Sequence, residues 1–343
     1  MWQHVRSWFA KEAEHVTVEF IPLDGASPIY PERGYLRLWL NEGFLARART
    51  WGNDHFPALH GGVSLTFGGI EGTTFTKFAK SAPLAKAPGA QLNVPITALL
   101  PFRGGNVEVQ AAMYQASTSG PLATAVQLVG GFASLLGPPL ATAATIASKM
   151  SAGLDAVLDA SNDQPVLGVH WSMVSPGGGL PVLRSGHLVV VNTPREKLGG
   201  ALCIVDGLLH VNDGSGPRRL TGADYLVTQV ECRTERDDWP SFQQLFTLIN
   251  EARAAYLRRH ESVYVEKATE ATILVWTSPD LVNSDRPRIA LEVEAEINAV
   301  KRNGIVPPAE ESFVERISTG LVHRDAPELA GLRLIDLLAR YRT

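Results

Sequence analysis

Two histidines stand where side-chain chemistry is easiest to build. His55 and His60 bracket the run His55-Phe56-Pro57-Ala58-Leu59-His60, with Asp54 beside the first. Pro57 excludes a regular helix between them, so both belong to a loop or strand end. Zinc needs four ligands, usually supplied as closely spaced Cys and His pairs. Neither a His-Glu-x-x-His nor a Cys-x-x-Cys pattern occurs. A hydrolase using His55 or His60 is the enzymatic reading that remains. It lacks the Gly-x-Ser-x-Gly elbow, because Gly62-Val63-Ser64-Leu65 continues into Thr66 and alternates like a strand. His170 and His187 fall in β-like runs and read as structural.

Other motifs are equally silent. Gly177-Gly178-Gly179 and Gly214-Ser215-Gly216 lack the Lys-Ser or Lys-Thr of a phosphate-cradling loop and read as plain loops. Cys203 and Cys232 are too few for a disulfide framework and fit buried thiols in a reducing cytoplasm. Arg218-Arg219 and Arg258-Arg259-His260 are isolated basic spots without interleaved aromatics, and the net charge is −4, which argues against nucleic acid. Glu231, Arg233, Glu235, Arg236, Asp237 and Asp238 form a mixed-charge connector leading to Trp239, an expected anchor for a partner. The chain therefore nominates no catalytic residue, no cofactor and no metal ligand.

What must position any site is read from hydropathy. Residues 109–148 form forty consecutive positions without Asp, Glu, Lys, Arg or His, in a chain that is 19% charged. A segment of that kind must be covered by its own fold, a partner or lipid. Pro121 suits a helix start, and Gly137-Pro138-Pro139 interrupts the run. The expectation is an inserted, uncharged helical hairpin over 111–160, its arms lying within 119–158. The expected contact residues are Val126, Val129, Phe132, Leu135, Leu136, Leu140 and Ile146. Trp2 joins them as an aromatic of a short N-terminal helix over 1–14, with Val5 and Phe9 at helical spacing.

On either side of the hairpin the pattern is β. Residues 16–21 alternate; Leu36, Leu38 and Leu40 alternate against Tyr35, Arg37 and Trp39; Val63, Leu65 and Phe67 repeat the pattern. Further strands are expected over 73–78, 91–96, from Val107, 166–173, 187–192 and 225–232. Asp206-Gly207 marks a hairpin between 202–205 and 208–211. From Trp239 the pattern turns helical, over 242–259, 262–277 (with 272–276 readable as a strand) and from a Ser284 cap to Asn303. A linker over 305–308 and a last amphipathic helix over 326–340 follow.

The expected fold is α+β. A β-sandwich-like antiparallel domain over 15–110 and 165–233 carries the inserted hairpin, and a helical C-terminal module spans 239–343. No apolar run reaches the length of an ordinary spanning helix, and the N-terminus lacks a signal-peptide pattern. The expected function is non-enzymatic: an interaction or effector protein of a multi-protein assembly, cytoplasmic, contacting a protein partner or itself. The alternatives are a hairpin that inserts conditionally into a membrane and the hydrolase above.

Overall fold

The computed structural model describes residues 2–12, 14–47, 49–50, 53–54, 56–67, 70–80, 89–116, 165–177, 179 and 181–302. Helix α1 (Trp2–Glu12) precedes strands β1 (Thr17–Pro22), β2 (Tyr35–Phe44), β3 (Arg49–Thr50), β4 (Asn53–Asp54), β5 (Phe56–Phe67), β6 (Ile70–Lys80), β7 (Gly89–Pro95), β8 (Leu100–Pro101) and β9 (Val107–Ala116). Strands β10 (Leu167–Met173), β11 (Gly186–Val191), β12 (Ala201–Val205), β13 (Leu208–Asn212), β14 (Pro217–Arg219) and β15 (Tyr225–Arg233) follow. The chain then becomes helical: α2 (Gln243–Leu257), α3 (Glu261–Thr277), α4 (Arg286–Ile297) and α5 (Ala299–Arg302). The described residues fall into two compact units that divide after Thr234.

The first unit is built from antiparallel sheets. The largest has the order β1-β11-β15-β2-β7, with β8 also on β2; a second has the order β10-β9-β5-β6; a small third has β12-β13-β14. Strands from both sides of 117–164 hydrogen-bond within the same sheets, as β11 and β15 do with β1 and β2, and β10 does with β9. The two larger sheets share one core. Leu36, Leu38 and Leu40 of β2 and Leu188 and Val190 of β11 meet Leu59 and Val63 of β5, Val109 and Met113 of β9, and Val169 of β10. Each such side chain contributes about 1.5–3 kcal/mol by leaving water. At the closest approach no side chain fits. A Cβ on Gly61 would lie 2.6 Å from Ile96 Cδ1, and one on Gly43 would lie 2.6 Å from Leu59 Cδ2.

Strand β9 corrects the expected start of the hairpin. Residues 111–116 are strand, not helix. Val109, Ala111 and Met113 face the shared core, while Gln110, Ala112 and Tyr114 on the other face are buried too. A strand buried on both faces has no position for a charge, which accounts for the opening of the uncharged stretch. The rest of it lies outside the described residues, and with it Val126, Val129, Phe132, Leu135, Leu136, Leu140 and Ile146. Helix α1 packs on β10 through Val5, fully buried, and Trp8; a Cβ on Gly168 would lie 3.2 Å from each.

The second unit packs α2, α3 and α4 around Leu245, Ile249, Ala268, Val275, Ile289 and Val293. Residues 272–276 are helical, which resolves their ambiguous pattern: Val275 packs inside at the helical spacing set by Ala268 and Ala271. The helix expected from Ser284 is capped one residue later, at Asp285, and ends at Ile297, before the short α5. Segments 305–308 and 326–340 lie outside the described residues. Among the described residues no helix is long and apolar enough to cross a membrane.

Candidate functional site

A β-bulge creates the main polar cluster. Along β2 the register with β15 runs Leu40 to Thr228 and then Glu42 to Val227, which leaves Asn41 as an extra residue. One extra residue reverses the two-residue period. Leu36, Leu38 and Leu40 face the shared core, but beyond the bulge Gly43 does so, and Glu42 and Phe44 turn to the opposite face. Without the bulge the alternation would drive Glu42 into the apolar core.

That opposite face has two halves. The small sheet packs against one, where Phe44, Val189, Tyr225 and Val227 meet Leu202, Leu209 and Val211. Glu42 lies at its centre, fully buried. Its carboxylate accepts the Leu209 N–H at 3.2 Å, the Tyr225 hydroxyl at 2.8 Å and the Arg219 guanidinium. Tyr225 stacks on Phe44 with centroids 5.0 Å apart. Burial first, then the Glu42 charge, pushes the Tyr225 hydroxyl up, so it remains a donor.

The other half is polar and carries Arg37, Trp39, Asn41, Gln229 and Glu231. Glu231 Oε2 accepts Arg37 Nε at 2.8 Å and Trp39 Nε1 at 2.7 Å, while Arg233 donates to Oε1. The Arg37 guanidinium lies 4.6 Å from the Trp39 ring centroid. Burial raises the Glu231 carboxyl, but the hydrogen bonds from Arg37 and Trp39 outweigh it and hold the group below the usual carboxylate range. Asn41 Nδ2 donates to Asn93 Oδ1 and Gln229 Oε1, each at 3.2 Å. Both carboxylates are thus acceptors closed by donors of the same chain. This arrangement fixes the geometry of both side chains through charge-assisted hydrogen bonds.

His60 sits elsewhere, on the face of β5 turned from the shared core, and is fully buried. Its Nε2 lies 2.5 Å from Thr76 Oγ1, and the Thr76 hydroxyl also contacts the Gly61 carbonyl at 3.3 Å. A histidine beside a hydroxyl resembles a base with its nucleophile. Here burial lowers the imidazole to about 3 and closes the pair to solvent. His55 lies outside the described residues. No group of three metal-ligating side chains occurs among the described residues.

A cleft of about 340 Å³ in the first unit is lined by Leu45, Arg47, Gln115, Asn192 and Asp224 among others. Asp224 Oδ1 accepts the Ala46 N–H at 2.7 Å. Its volume is that of a small-ligand pocket, but such pockets have mostly apolar walls.

In the second unit, Trp239 is not a surface anchor. It is 6% exposed, packs in the helical core, and donates from Nε1 to Glu292 Oε2 at 2.6 Å. The preceding mixed-charge run is partly interior: Arg236 is buried and donates to the Asp280 carbonyl at 3.0 Å, and its backbone N–H donates to Asp285 at 3.0 Å. Large apolar groups are instead exposed on α2 and α3, at Phe246 (50%), Leu257 (37%), Val263 (38%) and Ile273 (42%).

Sequence patterning does not single out Asn41, Glu42, Arg219 or Tyr225. The available signal was Glu42 itself, a carboxylate at the position where the Leu36, Leu38, Leu40 alternation demands an apolar group. Compared with protein-family models, with curated proteins and with solved structures, the chain matches none.

Proposed function

We propose that this chain is a non-enzymatic interaction protein of a multi-protein assembly, with the C-terminal helices as its principal contact surface. The observation that carries this reading is the apolar exposure on α2 and α3. Four of the six large hydrophobic side chains exposed among the described residues, Phe246, Leu257, Val263 and Ile273, lie on these two helices. The helices already have a core of their own in Leu245, Ile249, Ala268 and Val275, so these four are not needed for internal packing. Phe246 and Leu257 are eleven residues apart, about three helical turns, and share one stripe of α2. Exposed apolar groups set among polar neighbours are what a protein partner or a second copy buries.

The first unit is read as the sandwich-like scaffold of the same protein. Its internally closed carboxylates, Glu42 and Glu231, favour recognition over catalysis. Segment 117–160, which carries no charge as far as Ser148 and is read as a helical hairpin, is the second expected contact region. Cys203 and Cys232 are free thiols and suit the cytoplasm.

The test is a Phe246→Asp/Ile273→Asp variant. Its fold is verified by circular dichroism, its mass by light scattering, and its neighbours by cross-linking in cells. The variant is expected to keep its fold and lose the cross-links or the self-association of the wild type. Unchanged mass and cross-links would remove α2 and α3 as the contact surface.

A further inference from the structure

We propose that Tyr256 and Tyr264 form a binding corner for quaternary ammonium groups, occupied in this structure by the chain's own Lys301. Tyr256 lies in the last turn of α2 and Tyr264 in the first turn of α3. The short connection between the helices brings the rings together with centroids 5.9 Å apart and planes inclined at 57°. Two rings tilted in this way make a concave wall of electron-rich faces. The Lys301 ammonium sits against it, 4.1 Å from the Tyr264 centroid and 5.2 Å from that of Tyr256.

The Tyr264 ring has a support besides that ammonium. Tyr264 is buried, and its hydroxyl donates to Asn298 Oδ1 at 2.8 Å, which fixes the ring. Glu261, at the start of α3, acts electrostatically on both tyrosines and on Lys301, so an acidic field reinforces the two π faces. Such a corner selects cations by charge and by contact.

Lys301 is a replaceable occupant. It is presented by α5, a helix of four residues. Among the described residues its ammonium has no carboxylate within ion-pair distance, and it lies against the two rings. A primary ammonium gives up hydrogen bonds to water when it lies on an aromatic face. A quaternary ammonium has no N–H to desolvate, so the same wall favours it. The ligand class is a small quaternary ammonium, free in solution or carried as a lipid headgroup. This site shares no residue with the Phe246 and Ile273 surface and stands independently of it.

The test uses the full chain with ring-labelled tyrosine. Ring resonances are followed by NMR during titration with tetramethylammonium chloride and, separately, with sodium chloride at equal ionic strength. In Lys301→Met and Lys301→Gln the Tyr256 and Tyr264 signals are expected to shift saturably, with a midpoint at least tenfold lower than in the wild type. Tyr256→Leu in the Lys301→Met background is expected to abolish saturation. Choline and phosphatidylcholine vesicles then separate the two sources: saturation by free choline marks a soluble ligand, and retention on vesicles marks a headgroup. Shifts in Lys301→Met that merely follow sodium chloride overturn the proposal, as does equal binding by wild type and Lys301→Met.

Discussion

Arg219, on the short strand β14, donates to Glu42 of β2, a fully buried carboxylate that also takes the Tyr225 hydroxyl and the Leu209 N–H. This pair joins the small sheet to the large one at the centre of an apolar cluster. Removing one member of a buried pair strands the other. Arg219→Met is therefore expected to destabilise the first unit by about 3 kcal/mol in urea unfolding. Glu42→Leu/Arg219→Met, which removes both charges, is expected to recover more than half of that loss. A double variant as unstable as the single one would show that shape, not charge, governs the junction.

Where the sheets approach most closely, Gly61→Ala places a methyl 2.6 Å from Ile96 Cδ1 and 2.9 Å from Leu40 Cδ2. Overpacking of this kind costs about 1–3 kcal/mol. Ile96→Val deletes the nearer carbon, so Gly61→Ala/Ile96→Val is expected to be less destabilised than the sum of the single changes. Thermal melts of the four proteins decide it; strict additivity would place the strain elsewhere.

One part of the pH dependence follows from His60, whose imidazole is lowered from 6.5 to about 3 chiefly by burial. The folded state holds it neutral while the unfolded chain protonates it below about pH 6.5, so the unfolded state binds more protons there. Stability tied to this group is complete above pH 6.5 and is lost as the pH falls towards 3. Between pH 6.5 and 5 the loss is on the order of 2 kcal/mol. His60→Asn is expected to flatten the slope of stability against pH in this interval, whatever its effect at pH 7. Parallel slopes for variant and wild type would contradict the assignment.

Asp285 organises the start of the helical unit. It is buried and accepts the Arg236 backbone N–H at 3.0 Å and Arg288 Nε at 2.7 Å. Asp285→Ala leaves these donors without their carboxylate and is expected to cost about 3–5 kcal/mol. Limited proteolysis should show accelerated cleavage within 243–302 and unchanged cleavage within 167–233. Equal acceleration in both regions would mean that the units unfold together.

Local pattern was sufficient for much of the architecture. The alternation of Leu36, Leu38 and Leu40, the run Val189-Val190-Val191 and the Asp206-Gly207 turn, with φ of 52° and 74°, are each governed by neighbours a few residues away. The expected α+β class with antiparallel sheets is what the described residues form. The ambiguous run 272–276 was settled only by the packing partners of Val275, since a short apolar run suits a strand and a buried helix equally.

The candidate sites needed distant parts of the chain. A bulge is a property of strand pairing, so Asn41 could not announce it in isolation. The partners of Glu42 lie 177 and 183 residues away, at Arg219 and Tyr225. Trp239 followed a charged run and read as exposed; only the arrival of α4 with Glu292 made it interior. The sequence by itself determined many of the strands, turns and helices, though not 111–116 or 272–276, because hydropathy period and turn chemistry act within a few residues. Which polar groups are buried, which are paired and which apolar groups are left outside was decided by tertiary structure, because desolvation depends on what packs against a residue.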